Sequence, residues 1–193
     1  MKKLALVLLT MSSTAAFSSI KKDGWELSDV YITGSSCPEN LKSNLEVSTT
    51  KNPAGLPQIQ LKVSFPAFQT QLSEGDFYAS DTCNISVAID KAPCRRVGVD
   101  RAVWTGFASL ADKETFGAMD AKFYVNGNPS RSGSWQKEGP FRGGFEVTAN
   151  RLGVYQPGFF LNADSILFLE GNRGFMKVNT FNNQAISWSC SCI

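Results

Sequence analysis

Ile59, Leu61, Val63 and Phe65 take every second position, with Gln60, Lys62 and Ser64 between them and Pro66 closing the run. A period of two sends apolar side chains to one face of an extended segment and polar ones to the other. The proline ends it, because it has no N–H to give to a ladder. The same pattern recurs along the chain. Ile85, Val87 and Ile89 alternate with Ser86, Ala88 and Asp90, and Cys83 shares the apolar parity, so its thiol is expected to face the core. Val97, Val99, Arg101 and Val103 continue the rule toward Trp104 and Phe107. Residues 25–33 read as a first strand, and residues 121–125 run into the turn signal Asn126-Gly127. Segments 144–148, 165–169, 175–178 and 185–190 complete the set. Only residues 108–120 are helix-compatible, and Thr115 and Gly117 interrupt them. About ten short strands separated by turn residues predict an all-β fold, an antiparallel, jelly-roll-like β-sandwich.

The first residues follow a different rule. Lys2 and Lys3 precede the apolar run Leu4-Ala5-Leu6-Val7-Leu8-Leu9, which fades into Thr14-Ala15-Ala16-Phe17-Ser18. A basic start, a short apolar stretch and small residues at −3 and −1 form the pattern of a secretory signal, with cleavage expected after Ala16 or Ser18. The run is too short for the roughly 20 residues that span a bilayer. The expected organisation is a signal peptide over 1–18 and one secreted β-sandwich domain over 19–193, extracellular or periplasmic. Of the 19 Lys and Arg residues, Lys2 and Lys3 lie in the expected signal, so the chain after it carries equal numbers of basic and acidic groups. A neutral chain offers no long-range attraction for phosphate, and nucleic acid is not an expected partner.

There is no histidine. That removes Ser-His-Asp and Cys-His nucleophiles and histidine metal ligands, and no cofactor or metal is expected. Five cysteines remain, Cys37, Cys83, Cys94, Cys190 and Cys192. In an exported chain they are disulfide candidates. Two bridges would leave one thiol over, available for a disulfide-linked dimer. A bridge between Cys190 and Cys192 would close a small strained ring, so distant partners are expected for both.

Catalysis without histidine would fall to a carboxylate pair, as in glycoside hydrolysis. Asp90, Asp100, Glu138 and Glu146 are the candidates on or near strands, and none forms a recognisable acid/base motif. Glu74, Asp76 and Asp81 supply oxygen atoms suited to calcium, but lack a loop signature and read as a solvated turn. Aromatic residues give the remaining lead. Tyr155, Phe159 and Phe160 flank the turn former Pro157-Gly158, and Trp135 sits in a polar segment. Exposed on a rigid sandwich, such rings stack on sugars or anchor a protein; otherwise they fill the core.

Several segments, taken in order, resemble a known family. Tyr31-Ile32-Thr33-Gly34-Ser35-Ser36-Cys37-Pro38 is similar to its opening motif. Val63-Ser64-Phe65-Pro66-Ala67-Phe68, Cys83-Asn84-Ile85-Ser86-Val87, Gly106-Phe107-Ala108-Ser109-Leu110, Phe123-Tyr124-Val125-Asn126-Gly127 and Val178-Asn179-Thr180 match later segments. The family comprises small secreted fungal and bacterial proteins catalogued as a domain of unknown function. It often carries a Ser-Pro-Cys-Gly element late in the chain, which this sequence lacks. The resemblance implies a secreted β-rich domain and no particular activity. Because Cys37 and Cys83 lie in the matched motifs, one or both are expected to be bridged.

Together these features lead to an expected binding module for an extracellular glycan or protein. A polysaccharide hydrolase with two carboxylates is the first alternative, and a structural cell-envelope component the second. Mass spectrometry of the exported protein should find a chain beginning at Phe17 or Ser19; an intact Met1 in secreted material would overturn the signal assignment.

Overall fold

The computed structural model describes residues 14–37 and 44–190, with side chains except at 14–18, 130 and 180–190. Among the described residues the elements are twelve strands. They are β1 (Thr14–Lys22), β2 (Trp25–Thr33), β3 (Leu45–Lys51), β4 (Pro57–Ser64), β5 (Gln69–Gln71) and β6 (Tyr78–Lys91). There follow β7 (Val97–Leu110), β8 (Phe116–Val125), β9 (Asn128–Glu138), β10 (Phe141–Tyr155), β11 (Phe159–Glu170) and β12 (Gly174–Cys190). One sheet has the order β1-β2-β6-β11-β8-β9, and the other β10-β7-β12-β4-β3, with β5 pairing β12. All pairings are antiparallel. No described helix is long and apolar enough to cross a membrane.

The alternation read from the sequence is the reason the sheets stack. Ile59, Leu61, Val63 and Phe65 are buried from one sheet, and Cys83, Ile85, Val87 and Ile89 from the other, within one continuous core. Trp104 of β7 meets Phe123 of β8 across the gap, ring centroids 4.9 Å apart. Each large apolar side chain fully removed from water contributes about 1.5–3 kcal/mol, so the inner faces hold the sandwich closed. Asn126 and Gly127 both have positive φ, 50° and 78°. Such a two-residue turn matches the twist of a hairpin, and it joins β8 to β9 as expected.

Several expectations change in detail. Residues 108–120 are the end of β7, a turn over 111–115 and the start of β8. Segments 175–178 and 185–190 belong to the single strand β12, whose register against β4 breaks between Phe181 and Ile186. In β7 the alternation does not run through: the inward set is Val97 and Val99, then Ala102, Trp104, Ala108 and Leu110. The neighbouring strands shift register beside this switch, β10 between Asn150 and Gly153 and β12 between Phe181 and Trp188. Arg101 therefore leaves the core row, and its Nη2 donates to Glu146 at 3.0 Å. A further strand, β1, begins at Thr14 and pairs with β2 through the residues at which cleavage is expected. The basic and apolar parts of the expected signal, and Cys192, lie outside the described residues.

Cys37 and Cys83 form a disulfide 46 residues apart in sequence. Ser35 and Ser36 both donate to Oδ1 of Asp81, at 2.8 and 2.7 Å, and the Thr82 N–H donates to Ser35 Oγ at 3.1 Å. Gly34 has φ 146°, and a Cβ there would lie 2.2 Å from the Thr82 carbonyl oxygen. The Gly-Ser-Ser-Cys segment is thus a clasp fastening the end of β2 to β6, and only glycine permits the approach. Asp81 serves this clasp. Cys94 is also disulfide-bonded, while the side chains of Cys190 and Cys192 are outside the described set.

Closing a loop of this length restricts the unfolded chain by about 4 kcal/mol in the chain-entropy account. The Cys37→Ser/Cys83→Ser double variant should lose about 2–5 kcal/mol in urea denaturation. A loss below about 1 kcal/mol would show that strand pairing and the serine bonds hold the clasp unaided.

Candidate functional site

The outer face of the first sheet carries the candidate site. Along β8 and β11, and on β6 from Cys83 to Val87, the odd-numbered positions are buried, so the even-numbered ones point outward. Register brings three of these into one row with Thr33 at the end of β2: Thr33 opposite Asn84, Asn84 opposite Asp164, and Asp164 opposite Lys122. Asp120 and Tyr124 stand two places to either side of Lys122 on β8. Together these six residues line a groove of about 430 Å³. The nearest described disulfide, through Cys83, fixes its β2–β6 side.

Within the groove the Asn84 side-chain amide donates to the Asp164 carboxylate in a short hydrogen bond. Partial burial pushes the Asp164 carboxyl above the usual carboxylate range, and the nearby Lys122 ammonium partly offsets that. The arrangement presents hydrogen-bond acceptors (Asp164, Asp120), an amide, an ammonium and a phenol ring on one open surface. Farther along the same face lies an aromatic ridge. Phe168 of β11 makes edge contacts with Tyr78 and Phe116, at centroid distances of 5.0 and 6.1 Å. Phe77 beside it is 74% exposed.

The aromatic residues singled out from sequence lie elsewhere and divide. Phe159 is only 2% exposed and packs into the core, so its ring is closed to a ligand. Its inward parity on β11 decides this. Tyr155 packs at a tilt against Phe159, ring centroids 5.1 Å apart, and donates its hydroxyl to the Leu152 carbonyl at 2.8 Å. Phe160 points outward, 44% exposed. Trp135 lies half-buried against Phe145 at 4.9 Å and Phe141 at 5.6 Å, covering the gap between β9 and β10. The four residues do not form one surface. Among the carboxylate candidates, Glu146 is held by Arg101 and Thr148. None of Asp90, Asp100, Glu138 and Glu146 lines the groove.

Asp120, Lys122 and Asp164 were not marked by motif or spacing, and Asn84 and Tyr124 lay in family-like segments that assign them no role. Their signal was outward parity on strands whose inner faces are apolar. That signal is shared with every solvated strand residue until the strand order places β11 between β6 and β8.

Three-dimensional similarity to solved structures is loose. The carbohydrate-binding module TmCBM61, solved with β-1,4-galactotriose, overlaps at TM-score 0.27 and 16% identity, covering 79% of this chain and 87% of that one. The catalytic unit of an α-1,3-glucanase from Streptomyces thermodiastaticus overlaps at TM-score 0.27 and 10% identity, over 77% of this chain and 26% of that one. A family two carbohydrate esterase from Cellvibrio japonicus overlaps at TM-score 0.19 and 9% identity, over 86% and 37%. Overlaps this loose carry no functional weight. No curated protein matches the chain in sequence. Residues 23–181, however, match the model of DUF4360, a domain of unknown function, and the chain belongs to that family.

Proposed function

We propose that the protein is an exported binding module that holds a glycan on the outer face of its first sheet. The observation that carries this reading is the row Asn84–Asp164–Lys122 in a shallow groove beside the Tyr124 ring. A sugar unit presents neighbouring hydroxyls at its edge and C–H groups on its faces. A carboxylate, an amide and an ammonium aligned across adjacent strands suit the hydroxyls, and an aromatic ring suits the C–H face. The residues stand on strands of a packed sandwich, so the site is held in shape before a ligand arrives. The disulfides fit an oxidising compartment outside the cytoplasm.

A second reading, hydrolysis of the bound glycan, is favoured by one feature: Asp120 and Asp164 line the same groove on adjacent strands. Residues diagonal to each other across a strand pair stand about 7–8 Å apart, within the range used by glycosidases. The raised Asp164 would be the acid and Asp120 its partner.

The purified chain should bind at least one class of polysaccharide on a glycan array. Hydrogen bonds to charged groups are worth about 1.5–3 kcal/mol, so Asp164→Ala should weaken that binding about tenfold or more without lowering the melting temperature. An array with no bound glycan, or an Asp164→Ala variant that binds as wild type, would remove the groove from consideration. Binding alone releases no reducing ends; their release by wild type, lost in both Asp164→Asn and Asp120→Asn, would establish hydrolysis instead.

Asp164 also has a pH signature. Its folded-state pKa lies above the unfolded value. Its contribution is therefore complete below the unfolded pKa and declines as pH rises through the folded one. Stability curves of wild type and Asp164→Asn should diverge on going from acid toward neutral pH, with the variant gaining; parallel curves would show that Asp164 titrates as an ordinary surface carboxyl.

A further inference from the structure

The groove continues past Tyr124. Lys122 and Tyr124 also line a second depression, together with Pro129 and Arg131. Pro129 and Arg131 in turn line a cavity of about 470 Å³ with Arg151 and Tyr155. A sugar chain leaving the groove over β8 thus runs on to two arginines. They come from different sheets, Arg131 from the edge strand β9 and Arg151 from the edge strand β10. Both side chains are exposed, and among the described residues neither belongs to an ion pair. No acidic residue is among those lining either depression.

The local backbone aims Arg151. Its φ is 53°, a left-handed conformation that costs a non-glycine residue about 1 kcal/mol or more. The strain sits in a bulge, where the register of β10 against β7 shifts between Asn150 and Gly153. Two features pin the bulge. The Tyr155 hydroxyl donates to the Leu152 carbonyl at 2.8 Å. Gly153 has φ 138°, and a Cβ there would come within 2.4 Å of the Tyr155 hydroxyl oxygen. Bulges on edge strands commonly redirect a side chain, and this one turns an unpaired arginine toward the cavity that Arg131 shares.

We infer that this cavity takes the anionic group of a sugar unit, a carboxylate or a sulfate, so that the ligand of the groove is an acidic polysaccharide. The inference rests on the glycan-binding reading above and names its substrate class. A guanidinium offers a planar fork of donors that matches such oxyanions in paired hydrogen bonds. The chain following the expected signal is formally neutral, so attraction of a polyanion depends on local charge, here the two arginines and the Lys122 ammonium beside them.

The test titrates the full chain, at about 0.15 M salt where surface charge is screened beyond about 8 Å, with polygalacturonate, its methyl ester and dextran sulfate. Polygalacturonate or dextran sulfate should bind about tenfold or more tightly than the uncharged ester, and whichever of the two binds better identifies the anion. Arg131→Gln and Arg151→Asn should each remove most of that advantage and leave binding of the ester within about twofold. Asn is chosen at 151 because it tolerates the left-handed backbone. Asp164→Ala should weaken charged and esterified polymers alike. Equal affinity for the charged and esterified chains, or arginine variants that bind as wild type, would overturn the inference; binding that remained dependent on Asp164 would leave the glycan reading standing. A Lys51→Gln variant, on β3 at the edge of the second sheet opposite to β10, should bind as wild type. If it loses as much as the arginine variants, the attraction is general and the cavity has no special part. A wild-type chain that binds none of the three polymers overturns the inference alone when neutral glycans still bind on the array, and both readings when none do.

Discussion

The long strands β6, β7, β8 and β11 each turn an apolar row inward, and no strand can shelter such a row within its own sheet. Burying it requires a second sheet, and the resulting contact between inner faces is the constraint on which the molecule depends. Trp104 against Phe123 and Trp135 against Phe145 join the two layers at different points. The price of ordering the strands and turns is large, of the order of 1–2 kcal/mol per residue for the backbone alone. Only the nearly continuous burial of the inner faces can offset it. The Gly34–Cys37 clasp then fixes the end of β2 on β6, with Cys37 and Cys83 themselves buried in the core.

Closing the sandwich leaves the outer faces open, and there the sequence follows different rules. On the outer face of the first sheet, polar residues from four strands stand side by side because antiparallel register aligns Thr33, Asn84, Asp164 and Lys122. A carboxylate placed between an amide and an ammonium on a rigid sheet is partly desolvated without being sealed off. Its raised pKa follows from that position. The Arg131 and Arg151 cavity arises from another consequence of closure. Where the two sheets end in edge strands, side chains from both layers come together, and the β10 bulge decides which of them does so.

The strand segments were legible wherever alternation ran without interruption, as in Ile59 to Phe65 and Ile85 to Ile89. It failed in β7, where the inward set changes from Val97 and Val99 to Ala102 and Trp104. A one-residue slip moves every following side chain to the opposite face. The cause lies in the register shifts of the neighbouring β10 and β12, which no local pattern encodes. The aromatic candidates show the same limit. Phe159 and Phe160 are adjacent and chemically identical, yet one is core and the other exposed, because strand parity separates them.

By itself the sequence determined the all-β class, the turns at Asn126-Gly127 and Pro157-Gly158, the inward parity of Cys83, and the absence of histidine chemistry. These are local properties: periodicity, backbone preference and the side-chain inventory are all present in short segments of chain. The tertiary structure alone decided that Cys37 pairs with Cys83, that Asp164 lies between Asn84 and Lys122, and that Arg131 and Arg151 share a cavity. Each of these joins residues between 20 and 80 positions apart or lying in different sheets. Their proximity depends on strand order and register, which are settled only when all the apolar faces are buried together.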